Sequence, residues 1–188
     1  EAHIINSNIE NVFNKENISY ITYPFDIHGS DERQYSSQGF RINIASITKD
    51  KYYEYPYYHT SLDNLDLVKS KYIIESLWLH LNVLNVLSIT NTFKKELNDQ
   101  SFLLTNVYKS NYPNCEVMLS KHNLYPNTGG AQLPKFGDRN ELDLILWLLF
   151  WCDGSCSLEK IAKMLAVKVD VLEEVAKKLV DKKVLRFE

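Results

Sequence analysis

Hydrophobic positions divide the first half of the chain into helical and extended stretches. Apolar side chains recur at the three- and four-residue spacing of an amphipathic helix over residues 4–15 and again over residues 67–87. Residues 19–23 and 40–47 are rich in β-branched and aromatic side chains, and the second stretch alternates with a period of two. These patterns predict two strands between two helices, so the sequence favours the α/β fold class.

The C-terminal end of the chain follows a different pattern. Residues 141–151 are strongly apolar, residues 157–165 and 169–180 are amphipathic, and residues 184–187 read as a short strand. Three helices followed by a strand are typical of a winged-helix domain.

Between these two parts, short polar pieces containing proline and glycine interrupt the periodicity. We therefore predict an α/β part over residues 1–110, a connector over residues 111–136, and a winged-helix-like domain over residues 137–188. The connector is expected to pack against the first part and lead into the second.

Polar and ionisable side chains are concentrated in two stretches that the pattern predicts to be loops. Residues 29–35 read Gly-Ser-Asp-Glu-Arg-Gln-Tyr, and residues 55–64 read Tyr-Pro-Tyr-Tyr-His-Thr-Ser-Leu-Asp-Asn. Loops on a rigid scaffold often carry function, and open α/β sheets bind ligands beyond the ends of their strands. Because neutral histidine suits zinc, His59 is a candidate metal ligand.

Both loops resemble active-site loops of the zinc aminopeptidase superfamily that includes glutaminyl cyclase. The resemblance continues through residues 115–119, 124–130 and 153–158. It is strongest to a branch of bacterial aminopeptidase-like proteins that end in a winged helix and are often found with polysaccharide-biosynthesis genes. The resemblance implies the C-terminal part of a zinc-aminopeptidase-like sheet with helices, plus a small winged-helix domain.

The resemblance also implies roles for individual side chains. His59 would be the last metal ligand in chain order, and Asp63 would be a carboxylate that orients the ligand loop. Asp31 would lie beside the metal, Arg33 would neutralise a substrate carboxylate, and Tyr35 would donate to a developing oxyanion. An ion pair between Asp31 and Arg33 that ties one loop to another is the structural alternative for those two residues.

The implied cofactor is zinc, as one or two ions, with the other ligands supplied by segments upstream of this chain. The implied partners are a peptide or amide substrate and the missing N-terminal segment of the same protein. The isolated chain should then be inactive. Gln38 stands where the family usually has proline, which leaves substrate recognition open. The alternative function is a non-catalytic scaffold whose winged helix binds a protein partner or, as a weaker option, nucleic acid.

Charge and composition narrow these functions. The 188 residues carry a formal net charge of −3 and 45% hydrophobic side chains, which is ordinary for a soluble globular protein. From residue 138 to 188 there are ten acidic and nine Lys or Arg side chains, so the expected basic face of a DNA-reading module is missing and a nucleic-acid partner is disfavoured.

The remaining expectations concern location and redox state. We find no secretory signal and no uncharged apolar stretch of the length needed to span a bilayer, so we expect a cytoplasmic protein without a membrane partner. Three cysteines form an odd set in such a chain, so we expect free thiols rather than a disulfide framework.

Overall fold

The structure is a computed structural model that describes four parts of the chain: residues 3–29, 31–89, 107–125 and 139–188. The turn over residues 127–130 and part of the predicted connector lie outside them. In chain order the helices and strands are α1 (Ile4–Lys15), α2 (Asp31–Ser36), α3 (Ser70–Ile89), β1 (Tyr108–Ser110), a 3₁₀ turn (Leu119–His122), α4 (Glu141–Trp151), α5 (Leu158–Leu165), α6 (Val169–Asp181) and β2 (Leu185–Phe187).

These elements belong to two compact units. The N-terminal unit comprises Glu1–Pro24 and Asn43–Leu97, and the C-terminal unit comprises Phe25–Ile42 and Asn98–Glu188. The segment Phe25–Ile42 therefore leaves the unit of its sequence neighbours and joins the winged-helix part of the chain.

Two helices, α1 and α3, pack together in the N-terminal unit, and both were predicted from their apolar spacing. His3 caps the start of helix α1, because its Nδ1 accepts a hydrogen bond from the amide of Ile5 at 3.3 Å, and the helix buries Val12 and Phe13. On α3, Val83 is the buried residue among those described. By length and composition alone α3 could cross a membrane, a test that a mostly buried core helix of a soluble protein also passes; 6% of the apolar window of α3 is buried.

The two predicted strands are absent from the described structure. Residues 19–23 and 40–47 have no strand assignment, and the strands of the described residues are β1 and β2 alone. A strand requires a neighbouring backbone to receive its hydrogen bonds, and alternation of side chains does not supply one. The apolar side chains of these stretches stay exposed, as shown by Ile21 at 77% and Ile42 at 51%.

The prediction of a winged helix is confirmed. Strand β1 pairs antiparallel with β2, with Ser110 opposite Leu185, and helices α4, α5 and α6 enclose one apolar core. Leu148, Leu172 and Leu179 are fully buried at the centre of that core. Each such leucine contributes roughly 1.5–3 kcal/mol of transfer free energy, so this core is the main source of stability in the C-terminal unit.

Candidate functional site

Three of the predicted site residues lie on α2, a short helix where the sequence pattern predicted a loop. Asp31 begins the helix, Arg33 lies in its middle, and Tyr35 lies near its end. An Asx turn precedes it, because the Oδ1 of Asp26 accepts a hydrogen bond from the amide of His28 at 3.0 Å. Acidic side chains in the first turn favour the positive end of a helix. That Asp-Glu pair was the available signal for α2.

Arg33 is held by protein groups. Its guanidinium donates to the carbonyl oxygen of Ile27 at 3.2 Å and forms an ion pair with Glu116 Oε1 at 2.9 Å. The side-chain amide of Gln34 donates through its Nε2 to Glu116 Oε2. The Nε atom of Arg33 is buried without a hydrogen-bond partner. Arg33 is therefore ion-paired with Glu116, and the alternative pair between Asp31 and Arg33 is not among the ion pairs of the described residues.

Asp31 and Tyr35 are both exposed on α2. Tyr35 leaves 52% of its surface accessible, while its backbone carbonyl accepts a hydrogen bond from the amide of Ile42 at 3.0 Å. The backbone at Tyr35 is thus tied down while its phenol remains open to solvent. This arrangement leaves the phenol able to donate a hydrogen bond to a bound molecule.

His59 and Asp63 lie in the N-terminal unit, in a loop rich in tyrosine. His59 is exposed, has a positive φ of 56°, and stacks on Tyr58 with ring centroids 4.0 Å apart. Tyr55 donates its phenol hydrogen to Asp63 Oδ2 at 2.7 Å, and this hydrogen bond raises the pKa of Tyr55, with burial adding to the effect. Asp63 thereby fixes the loop that presents His59.

The five predicted site residues are consequently divided between the two units. Asp31, Arg33 and Tyr35 belong to the C-terminal unit, whereas His59 and Asp63 belong to the N-terminal unit. Their sequence spacing suggested neighbouring loops of one sheet, but the sheet of the described residues consists of β1 and β2 and includes neither segment.

Whether a zinc ion fits this chain depends on how many ligands the described residues can supply. A catalytic zinc takes three protein ligands and keeps one open position. Within the described parts of the chain no three His, Cys, Asp or Glu side chains are grouped so that they could hold a metal. His59 and its described neighbours therefore do not form a zinc site by themselves.

The segment Phe25–Ile42 makes a set of specific contacts with α4 and its ends. The ring of Phe25 stacks on that of Phe150 with centroids 4.8 Å apart. At the other end of α4, Nε2 of His28 lies 3.0 Å from Oδ1 of Asp143, a buried carboxylate. The segment therefore covers α4 from its first turn to its last.

A small cavity of about 30 Å³ lies where this segment meets α4. Its lining includes Arg33, Gln38, Cys115, Glu116 and Phe150. That volume suits roughly one water molecule, so it is too small for a peptide substrate. Neither the contact of Glu116 with this segment nor the contact of Gln38 with α4 was predicted from the sequence. The available signals were the position of Glu116 in the stretch 115–119, which carries the resemblance, and Gln38 in place of the usual proline.

Comparisons with known proteins place these observations in a wider context. A family model described as a domain of unknown function, DUF4910, matches residues 1–90. A second family model, described as a winged helix-turn-helix, matches residues 106–187. The second match agrees with the fold of the C-terminal unit and supports the winged-helix assignment.

One curated relative is a Clostridium acetobutylicum protein provisionally named as a polysaccharide biosynthesis protein with an aminopeptidase-like domain. It is 30% identical over 143 residues, which cover 76% of this chain and 28% of the relative. A solved crystal structure from the same organism is provisionally named as a peptidase. The match to it covers 100% of this chain and 36% of the chain in that structure. That match has 24% sequence identity and a TM-score of 0.42. The chain thus spans about a third or less of both proteins.

Proposed function

We propose that this chain is the C-terminal part of a zinc-dependent, aminopeptidase-like hydrolase acting on peptide or amide bonds. The observation that carries the proposal is the 30% identity over 143 residues with a relative whose name includes an aminopeptidase-like domain. Because the chain spans 28% of that relative, we propose that further metal ligands and a general base come from other segments of the protein.

Within this proposal the candidate residues take different roles. His59 is one metal ligand, and Asp63 keeps its loop in place through the hydrogen bond with Tyr55. Tyr35, with its exposed phenol, donates a hydrogen bond to the negative charge that develops on the substrate carbonyl oxygen. Asp31, exposed at the start of α2, is available to hydrogen-bond other groups of the reaction site.

For Arg33 we propose a different role from the one that the resemblance implies. Its guanidinium already binds Glu116 and the carbonyl oxygen of Ile27. Leaving that carboxylate to bind a substrate would cost both contacts. We therefore propose that Arg33 holds α2 in place rather than binding a substrate carboxylate.

The test is the zinc content of the complete product of the encoding gene, measured by elemental analysis after gel filtration. His59→Ala should lower the zinc content, because one of the ligands is removed. His80→Ala is the matched control, since His80 is an exposed histidine whose ring nitrogen contacts the carbonyl oxygen of Ser76 in the same helix. It should leave the zinc content unchanged.

Two results would overturn parts of the proposal. Equal zinc in the wild type and His59→Ala would remove His59 from the ligand set. No zinc in any form would remove the metal from the proposal and with it the expected peptidase chemistry. Cleavage of aminoacyl amides by the zinc-loaded product would support the hydrolase assignment.

A second candidate function is a scaffold without catalysis. The observation that favours it is the ion pair of Arg33 with Glu116, because an arginine that binds a carboxylate of its own chain is not free to bind a substrate. In that case the winged helix binds a protein partner, and the aminopeptidase-like half only supports it. This candidate would be favoured if the metal-free gene product still binds a defined protein partner. For both candidates we propose a cytoplasmic location, which fractionation of cells expressing the gene would test.

A further inference from the structure

The C-terminal ends of α2 and α4 are joined by one side chain that neither the resemblance nor the comparisons assign. Arg41 donates through its Nη1 to the carbonyl oxygen of Ser36, the last residue of α2, at 3.2 Å. Through its Nη2 it donates to the carbonyl oxygen of Phe150, in the last turn of α4, at 2.6 Å. The final carbonyls of a helix lack partners within that helix, and they carry its negative end. A guanidinium is therefore well suited to join two such ends.

Further contacts fix the same guanidinium. It lies over the ring of Phe150, 4.4 Å from the centroid, and its Nη2 is 2.8 Å from Asp153 Oδ2. Burial raises the pKa of Asp153, but hydrogen bonds from Ser155 and Arg41 outweigh that effect and leave the pKa below its ordinary value. Asp153 therefore stays ionised at neutral pH as the counter-charge of Arg41.

The backbone around Arg41 is held in an unusual shape that these contacts help to explain. Arg41 itself has a φ of 47°, a left-handed conformation that is uncommon for a residue with a Cβ. Gly39 has a φ of 86°, and a Cβ there would lie 2.1 Å from the carbonyl oxygen of Pro113. Gln38, 5% exposed, donates to the carbonyl oxygen of Leu149 at 2.5 Å. The turn after α2 is thus shaped to bring Arg41 onto α4.

We infer that Arg41 is a positioning residue, through which the winged-helix domain sets the orientation of α2. The winged-helix domain then holds in place the helix that carries Asp31 and Tyr35. Arg41 makes its contacts with Ser36, Phe150 and Asp153, none of which lies on α6. The inference rests on the proposed function only for the roles given to Asp31 and Tyr35.

Hydrogen exchange measured by mass spectrometry on the 188-residue chain tests the inference. In Arg41→Ala, amides of residues 35–42 should exchange about tenfold faster, because charge-assisted hydrogen bonds at the ends of α2 and α4 are lost. Amides within α6 should keep their wild-type rates. Arg41→Lys should give an intermediate rate. Lysine keeps the positive charge, but its single ammonium group lacks the planar set of N–H donors with which a guanidinium binds several acceptors at once.

The matched control is Arg186→Ala, which removes another arginine of the same unit. Arg186 donates to the carbonyl oxygen of Ser110 and to Glu188, away from α2, so residues 35–42 should exchange at the wild-type rate. Unchanged exchange over residues 35–42 in Arg41→Ala would overturn the inference. So would an equal acceleration in α6, which would indicate general destabilisation.

If Arg41→Ala does not fold, Arg41→Lys and Asp153→Asn carry the test. Each should accelerate exchange over residues 35–42 without affecting α6, and wild-type rates in both variants would overturn the inference. Because exchange requires neither substrate nor metal, a failure of the hydrolase proposal would leave this result unaffected.

Discussion

Cys152 and Cys115 show how differently single residues of one type can be placed. Cys152 is 1% exposed, and burial, with added repulsion from Asp153 and Cys156, raises the pKa of its thiol to about 12. Cys115 is exposed. All three cysteines are free in the described structure, which agrees with the expectation of free thiols. Reactivity at these positions is set by burial, since the thiolate is the reactive form.

We predict that Cys115 is the cysteine that reacts rapidly with Ellman's reagent in the native chain. Cys152 and Cys156 should react only after unfolding in guanidinium chloride, because both are buried in the winged-helix core. The absorbance of the released thiolate measures each phase. Cys115→Ser should abolish the fast phase, and a fast phase that persisted in this variant would contradict the assignment.

At the scale of elements, helix α4 begins with a capping box formed by Asn140 and Asp143, which stabilises the start of the helix. The side chain of Asn140 accepts a hydrogen bond from the amide of Asp143 at 3.0 Å, and Asp143 accepts one from the amide of Asn140 at 3.1 Å. These two bonds satisfy amides that a helix start otherwise leaves without partners. The same Asp143 lies beside His28, so the start of α4 also receives the segment Phe25–Ile42.

Asn140→Ala should lower the free energy of unfolding by about 1 kcal/mol, because the N-cap side chain is lost. Urea unfolding followed by tryptophan fluorescence is a suitable measurement, since Trp147 and Trp151 lie on α4. Lys168→Ala is the control, because Lys168 stands at the start of α6 without a side-chain cap and should change stability by less than about 0.5 kcal/mol. Equal losses in both variants would rule out the capping explanation.

The helices and the strands of this chain were not equally predictable. Helices α1, α3, α5 and α6 follow from apolar spacing and α4 from a strongly apolar run, since a helix satisfies its own backbone. The proposed strands at residues 19–23 and 40–47 failed because a strand depends on a neighbour that local sequence cannot specify. Helix α2 was missed because a helix of six residues shows too little periodicity.

At the scale of the whole molecule, charge and packing bear on the partner of the winged helix. The exposed positions of α6 include Asp170, Glu174, Lys177 and Asp181, and Lys177 is paired with Glu173 at 2.8 Å. Helix α6 itself contains four acidic residues and two lysines, so it has no excess of positive charge to meet phosphate groups. The segment Phe25–Ile42 packs against α4 of the same unit.

We expect the chain to bind a labelled random-sequence DNA duplex more weakly than about 10⁻⁴ M, the weak end of ordinary non-specific affinity. Fluorescence anisotropy at low salt measures this affinity. The double variant Asp170→Lys and Glu174→Lys serves as a positive control, because it adds positive charge to the exposed face of α6 and should strengthen binding. Sub-micromolar binding by the wild type, weakening with salt, would restore nucleic acid as a partner.

The sequence by itself determined the long helices, the winged-helix fold and the balanced charge of the C-terminal domain. These properties depend on local spacing and composition, which can be read residue by residue. Only the tertiary structure decided that residues 25–42 join the C-terminal unit, that Arg33 pairs with Glu116, and that Arg41 joins the ends of α2 and α4. Those contacts link positions about eighty or more apart in the chain, and no local pattern records which distant groups will satisfy a buried guanidinium or an unpaired carbonyl.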